Sequence, residues 1–194
     1  IPGIFAMSHT ITDERYTHTL STLIVSPASR VALFLGRALP AIVNGFVVAV
    51  FALVVGALVL GVTIPASSYG EVALAIAVTS FSCTGLGLVN AALGLRWRET
   101  AVLSNFFVYF LLLFAGVNVP LELLPDWLQT VAQGLPVTHG VEAARDAVAG
   151  ESLGEIAGLL GAEALVGVVY TVLGLGLLRL FEREARRGAT LEVA

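Results

Sequence analysis

No charged residue falls between Ala38 and Gly70, and none between Val72 and Leu95. A hydrocarbon layer of about 30 Å needs about 20 apolar residues in a helix, so each run is long enough to cross. The first predicts a span over 39–62, closed by Pro65 and the polar turn at Ser67 and Ser68. The second predicts a span over 72–95. A phenylalanine-rich run predicts a third over 101–119, and a fourth over 156–178 holds a single charge, Glu163. The expected fold is all-α, a polytopic helical membrane protein with four full transmembrane helices.

Two stretches are patterned yet too polar to span. In DERYTHTLSTLIVSP, residues 13–27, Tyr16, Leu20, Leu23, Ile24 and Pro27 recur on one helical face. Glu14, Arg15, Thr17, His18, Ser21 and Thr22 cover the other. Asp13 and Glu14 suit a helix start, and Ser26-Pro27 reads as the N-cap and first residue of a new helix. The region 13–37 is therefore expected to hold an amphipathic helix that leads into the first span. The bland reading is a helix lying in the lipid headgroups; the sharper one is a docking helix for a cytoplasmic partner.

The other patterned stretch is 121–152. Pro125 begins a short helix with Trp127, Leu128, Val131 and Leu135 on one side, and Gly134 and Pro136 break it. Thr138 can cap a second helix, which Gly150 would end. A re-entrant pair dipping back from the outer surface and an ordinary external hairpin both fit. At the start, residues 1–10 are apolar but too short to span, and read as the end of a truncated membrane helix.

Composition agrees with the pattern. Hydrophobic residues make up 57% of the chain and charged ones 12%, where a soluble domain carries about a quarter charged; mean hydropathy is +0.93. Charge placement then orients the spans. Arg15, Arg30 and Arg37 precede the first, Arg96 and Arg98 separate the second and third, and Arg179, Arg183, Arg186 and Arg187 follow the fourth. The positive-inside rule puts all three groups, and both ends, in the cytoplasm. The opposite face carries Glu71, Glu122, Asp126, Glu142, Asp146, Glu151 and Glu155, with Arg145 alone among them. Trp97 and Trp127 stand near the two interfaces.

Candidate chemistry is sparse. The single cysteine, Cys83, excludes an intrachain disulfide. The chain contains no lysine, which excludes a Walker A loop within it. His9, His18 and His139 stand apart from any metal-ligand spacing. Glu163 lies within a span, where a charge costs roughly 2.5–3.5 kcal/mol; it either lines a pathway or is, for structural reasons, paired with a polar neighbour or neutral. Asn44, Asn90 and Asn105 each lie about 10 Å inward from a cytoplasmic charge. They could form an interhelical amide cluster or line an inner mouth, and packing is the commoner role. Gly154, Gly158 and Ala162, and Ser80 with Thr84, have small-xxx-small spacing suited to close helix packing.

The two patterned regions carry a family resemblance. Glu14-Arg15, Thr19-Leu20, Leu23 and Ser26-Pro27, followed by Arg37, resemble the first cytoplasmic segment of ABC-2-type transporter permeases. Gly116, Pro120, Leu124-Pro125, Trp127-Leu128, Pro136, Thr138-His139-Gly140, Glu142 and Arg145 match the later part of that pattern. His18 stands where the family usually has Gly, and Ser21 where it often has an acid. The family has six spans, of which the first and most of the second are absent here. The resemblance implies a transmembrane permease subunit of an ATP-driven exporter, with no catalytic residues, metal or cofactor of its own. ATP and Mg²⁺ would sit on a separate ABC ATPase subunit. A second permease copy, identical or not, and the lipid bilayer are the other implied partners; nucleic acid is not. Glu14, Arg15, His18, Thr19, Leu20, Leu23, Ser26 and Pro27 would form the coupling helix, and 121–152 the outer hairpin that caps the exit. The implied location is the cytoplasmic membrane of a prokaryotic cell. A membrane-embedded enzyme would need clustered His, Asp or Glu at one depth; a passive channel or scaffold would not need the 13–27 helix.

Overall fold

The computed structural model describes residues 30–61, 64–94 and 100–188. They form six α-helices: α1 (Arg30–Leu60), α2 (Tyr69–Gly94), α3 (Thr100–Phe114), α4 (Asp126–Gln133), α5 (Thr138–Ala149) and α6 (Leu153–Gly188). Short 3₁₀ turns at Ala66–Ser68 and Leu121–Leu123 punctuate the connections. Among the described residues there is no strand. The protein is an all-α, integral membrane protein.

Three helices contain stretches long and apolar enough to cross a membrane: Gly36–Leu60, Tyr69–Gly94 and Leu153–Phe181. Their positions lie close to the spans expected at 39–62, 72–95 and 156–178. The span expected over 101–119 differs. Its helix stops at Phe114 after 15 residues, about 22 Å at 1.5 Å per residue, short of the roughly 30 Å hydrocarbon layer. The cause is local. Gly116 adopts φ +73°, a left-handed conformation that glycine takes without steric cost, and Leu121 packs closely over it. Apolar composition continues to Val119 while the helix does not.

The bundle is built around α2. Half of its most apolar window is buried (50%), against 6% for α1 and 17% for α6. On α2, Gly85 meets Gly167 and Thr171 of α6, and Leu88 and Val89 meet Gly174. Numbers rise together along both helices, so they run parallel. An ideal Cβ on Gly174 would lie 2.8 Å from Leu88 Cβ and 2.9 Å from Val89 N, and one on Gly85 would lie 2.8 Å from the Gly167 carbonyl oxygen. Glycine thus brings the two backbones together, the usual means of association where lipid offers no hydrophobic drive between helices.

The remaining helices attach to this pair. α1 runs antiparallel to α2: Ala41 joins Leu88, Ala91, Ala92 and Leu178 at one end, Gly45 faces Ser80, and Leu53 reaches the Val72–Ala75 cluster. α3 is antiparallel to α2 as well, through Val108, Leu111 and Ala115 packed with Cys83 and Leu86. α5 lies against both α2 and α6 at the Tyr69/Leu153 end, where Val72, Ala75, Ala143, Ala147, Ile156 and Leu160 form one apolar cluster.

Only part of the small-residue spacing is used for packing within this chain. Ser80 and Thr84 are buried as expected. Gly158 has nothing within 4 Å of an ideal Cβ, and Gly154 has only Ser152 Oγ at 3.9 Å. The close-packed glycines of α6 are instead Gly167 and Gly174, two turns apart.

Candidate functional site

The hairpin of α4 and α5 is where the chain departs from plain helix packing. Pro125 precedes α4, with its carbonyl accepting from Leu128 and Gln129 N–H at 2.8 and 3.1 Å. The apolar residues of α4 share one side, as expected, but the bundle covers only part of that side. Ala132 is buried and Leu128 half-buried, whereas Trp127 and Val131 are exposed, in line with exposed Leu123 in the preceding turn. Gly134 closes α4. Gly150 ends α5 with φ +98° in the left-handed region, as glycine does at helix C-termini.

The start of α5 also departs from expectation. Thr138 does not cap it. Its hydroxyl donates instead to the Ala132 carbonyl at 2.8 Å, closing the hairpin on itself. The N-cap residue is Val137, which has φ +85° and offers no side-chain cap. A β-branched residue at positive φ is a steric outlier, so its surroundings must hold it there.

Glu163 of α6 supplies the missing cap. Val137 N–H donates to its Oε1 at 2.8 Å, and Gly140 N–H donates to its Oε2 at 3.2 Å. These are the N-cap and third-residue N–H groups, two donors that a helix start leaves without intrahelical partners. One side chain from another helix satisfies both, where a helix ordinarily uses two local side chains. Glu163 is fully buried, with 0% of its surface exposed. Hydrogen bonds to a charged group contribute about 1.5–3 kcal/mol each, and the positive end of the helix dipole adds to them. Together they offset the roughly 2.5–3.5 kcal/mol cost of placing a charge at membrane depth. Both carboxyl oxygens of Glu163 are thus paired with backbone N–H groups, and none of its surface is exposed on this chain.

Other contacts secure the hairpin. Tyr170 of α6 donates its hydroxyl to the Gly134 carbonyl at 3.3 Å. His139 Nε2 lies 3.0 Å from the Gln133 carbonyl oxygen. Arg145 donates to the Val117 carbonyl at 3.2 Å, tying α5 to the turn after α3. Gly140 faces Thr79 of α2 so closely that a Cβ there would collide with the Thr79 hydroxyl. Glu163 lies about 15 Å along α6 from Leu153, so the hairpin tip is seated well inside the bundle.

The three amides separate. Asn90 is fully buried on α2 and donates from Nδ2 to Ser104 Oγ of α3 at 2.7 Å. Asn44 on α1 and Asn105 on α3 are exposed on this chain. Ser104, next to Asn105 in sequence, is the partner that amide depth alone did not identify. The coupling residues Glu14, Arg15, His18, Thr19, Leu20, Leu23, Ser26 and Pro27 lie outside the described residues, as do residues 1–10 and Trp97. Sequence reasoning also missed the start of α6. Ser152 donates from its N–H and its hydroxyl to Glu155 Oε2, at 2.6 and 2.8 Å. The spacing Ser-x-x-Glu is the signal that marks such a helix start. Among the described residues no group of three His, Cys, Asp or Glu side chains could hold a metal ion.

Comparison with known proteins supplies the family. A family model described as ABC-2 type transporter matches residues 2–148. The chain is 27% identical over 150 residues to the probable multidrug ABC transporter permease YbhR of Escherichia coli K12, and equally to its counterpart in Escherichia coli O157:H7. Each alignment covers 72% of this chain and 40% of the relative, so the chain spans about two fifths of the length of these curated proteins. No solved structure matches. With its apolar helices and a match extending from residue 2 through most of the hairpin, the chain belongs to the ABC-2 type transporter family, as a transmembrane transporter component.

Proposed function

We propose that this chain is the permease subunit of an ATP-driven exporter that works with a separate ATPase and a second permease copy. The carrying observation is the family match over residues 2–148, which takes in both the 13–27 segment and nearly all of the hairpin. These 194 residues hold no lysine for a Walker A loop; in this reading ATP and Mg²⁺ sit on the ATPase partner. Residues 13–27 are the coupling helix, with Leu20, Leu23 and Ile24 on its apolar face and Glu14, His18 and Ser21 on its polar one. The end of the bundle carrying Arg37 and Arg179 faces the cytoplasm, and the acidic end carrying Glu71, Asp146 and Glu151 faces outward. The hairpin then closes the exit side. In this reading the cargo is an amphiphile: the exposed face of α3 sets Asn105 beside Val102, Phe106, Tyr109 and Leu113, and the curated relatives are described as probable multidrug ABC transporter permeases.

The polar face of the 13–27 helix provides the test. A helix lying in headgroups leaves Glu14 and Ser21 in water, whereas one seated in a protein cleft is contacted on both sides. In the full-length protein, Glu14→Lys and Ser21→Trp should preserve expression and membrane insertion but reduce ATPase co-purification, or uncouple hydrolysis from export. Full export and normal partner binding in both variants would return the segment to the headgroup reading.

A further inference from the structure

We propose that Glu163 is a positioning residue that fastens the hairpin tip to α6, so that α5 and α6 form one mechanical unit and the hairpin is not a lid hinged at its own loops. The proposal rests on the transporter reading above for its meaning in transport, but its geometry stands apart from that reading.

The start of α5 has no cap of its own. Val137 offers no side-chain cap, and the Thr138 hydroxyl is turned back to Ala132. Both cap donors, Val137 N–H and Gly140 N–H, are taken by the two oxygens of Glu163. The residue held in this way sits at φ +85°, a conformation that valine adopts only under constraint. Lifting α5 from α6 would leave a buried carboxylate and two buried N–H groups without partners, and away from water none of them finds a substitute. Thr79 of α2 closes the other side against Gly140, and Tyr170 holds Gly134 from α6 at the base of the tip. The connection from α3 to the hairpin has a different character. Val108, Leu111 and Ala115 pack with Val137 through apolar surface that can slide, and the Arg145 bond to the Val117 carbonyl is exposed, where water can replace it. A rearrangement that opens the exit therefore carries α5 with α6 and shears the α3 contact.

The test reads local exposure in native membranes and needs neither cargo nor ATPase, so it can fail while the transporter reading holds. In a Cys83→Ala background of the full-length permease, one reporter cysteine replaces Leu135 at the hairpin tip. Another replaces Ala92, buried in the cluster with Leu88 and Leu178. Glu163→Gln keeps the length of the side chain but sets an NH₂ group against one of the two N–H donors. It should raise the N-ethylmaleimide labelling rate at position 135 by about tenfold or more and leave that at position 92 unchanged. Glu163→Asp, which retains both oxygens but withdraws them by one methylene, should act in the same direction and is the variant read if E163Q fails to accumulate. Unchanged labelling at position 135 would overturn the proposal. Equal increases at both positions would also overturn it, because they would make Glu163 a general contributor to stability and not the fastening of the tip.

Discussion

α2 and α6 hold each other by one means, and α6 holds the hairpin by the opposite one. Their mutual seam is made by removing side chains: Gly85, Gly167 and Gly174 let one helix touch the other's backbone. The hairpin seat is made by adding polar groups: Glu163 caps α5, and Tyr170 binds Gly134. In lipid, where apolar surface gains little by leaving the solvent for a neighbouring helix, close approach and satisfied polarity are the two available sources of specificity. A seam of the first kind should be intolerant of added volume and indifferent to chemistry. A seat of the second kind should be intolerant of a lost acceptor.

The largest expected effect is at the seam. Gly174→Leu would place its Cβ 2.8–3.0 Å from backbone and Cβ atoms of Leu88 and Val89, which cannot move aside as a flexible side chain could. Overpacking typically costs about 1–3 kcal/mol and more where backbone must shift, so this variant should lose the monodisperse peak of detergent-solubilised protein in size-exclusion chromatography. Gly158→Leu is its counterpart on the same helix, with nothing within 4 Å. It should retain the fold. A stable Gly174→Leu would break the comparison. A Gly158→Leu variant that keeps its fold but loses self-association would sharpen it, placing the second copy on that face of α6.

This pair of glycines also marks how far the sequence could be read. Long apolar runs, interrupted only by Glu163 in the last, located α1, α2 and α6 because length and apolarity are properties of each segment alone. Pro125, Gly134 and Gly150 delimited the hairpin for the same reason, since each acts on its own backbone. Pairings between distant segments were not legible. Gly154 and Gly158 have the expected spacing yet face away from this chain, while Gly167 and Gly174 do the packing; spacing reports that a smooth face exists, not which neighbour covers it. Thr138 was a reasonable cap by residue type, but its hydroxyl found Ala132, and Glu163, remote in sequence, took the N–H groups. The sequence marks Glu163 as costly; its partners are backbone atoms, which no residue pattern advertises. In the third span apolar composition persists past Phe114, where the Gly116 turn has already ended the helix, so composition overstates its length.

An intermediate effect is expected inside the hairpin. Thr138 is buried, with 2% of its surface exposed, and its hydroxyl bonds to the Ala132 carbonyl. Thr138→Val preserves the shape and removes that bond, at a cost of about 1 kcal/mol. The Ala132 carbonyl keeps the Leu135 N–H at 3.0 Å, so it is not stranded. The loss should be confined to the hairpin: hydrogen–deuterium exchange should rise over 132–140 and stay unchanged along the α2–α6 seam. A matching rise along the seam would mean that seat and seam are one cooperative unit.

The smallest effect belongs to a contact that uses the hairpin's means at a helix seam. Asn90 donates to Ser104 between α2 and α3, and Asn90 has 0% of its surface exposed. Interhelical side-chain bonds in membranes average about 0.6 kcal/mol, because the separated helices also find partners. Asn90→Leu should therefore lower the thermal midpoint modestly. Ser104→Ala should do the same, and the double variant should fall short of the sum by about that coupling. Cargo preference should not change, since Asn90 has no surface exposed on this chain. A changed preference at unchanged stability would assign Asn90 to the inner mouth. Strict additivity of the two substitutions would mean that the bond contributes nothing, leaving the α2–α3 contact to the apolar cluster of Cys83, Leu86, Val108 and Leu111.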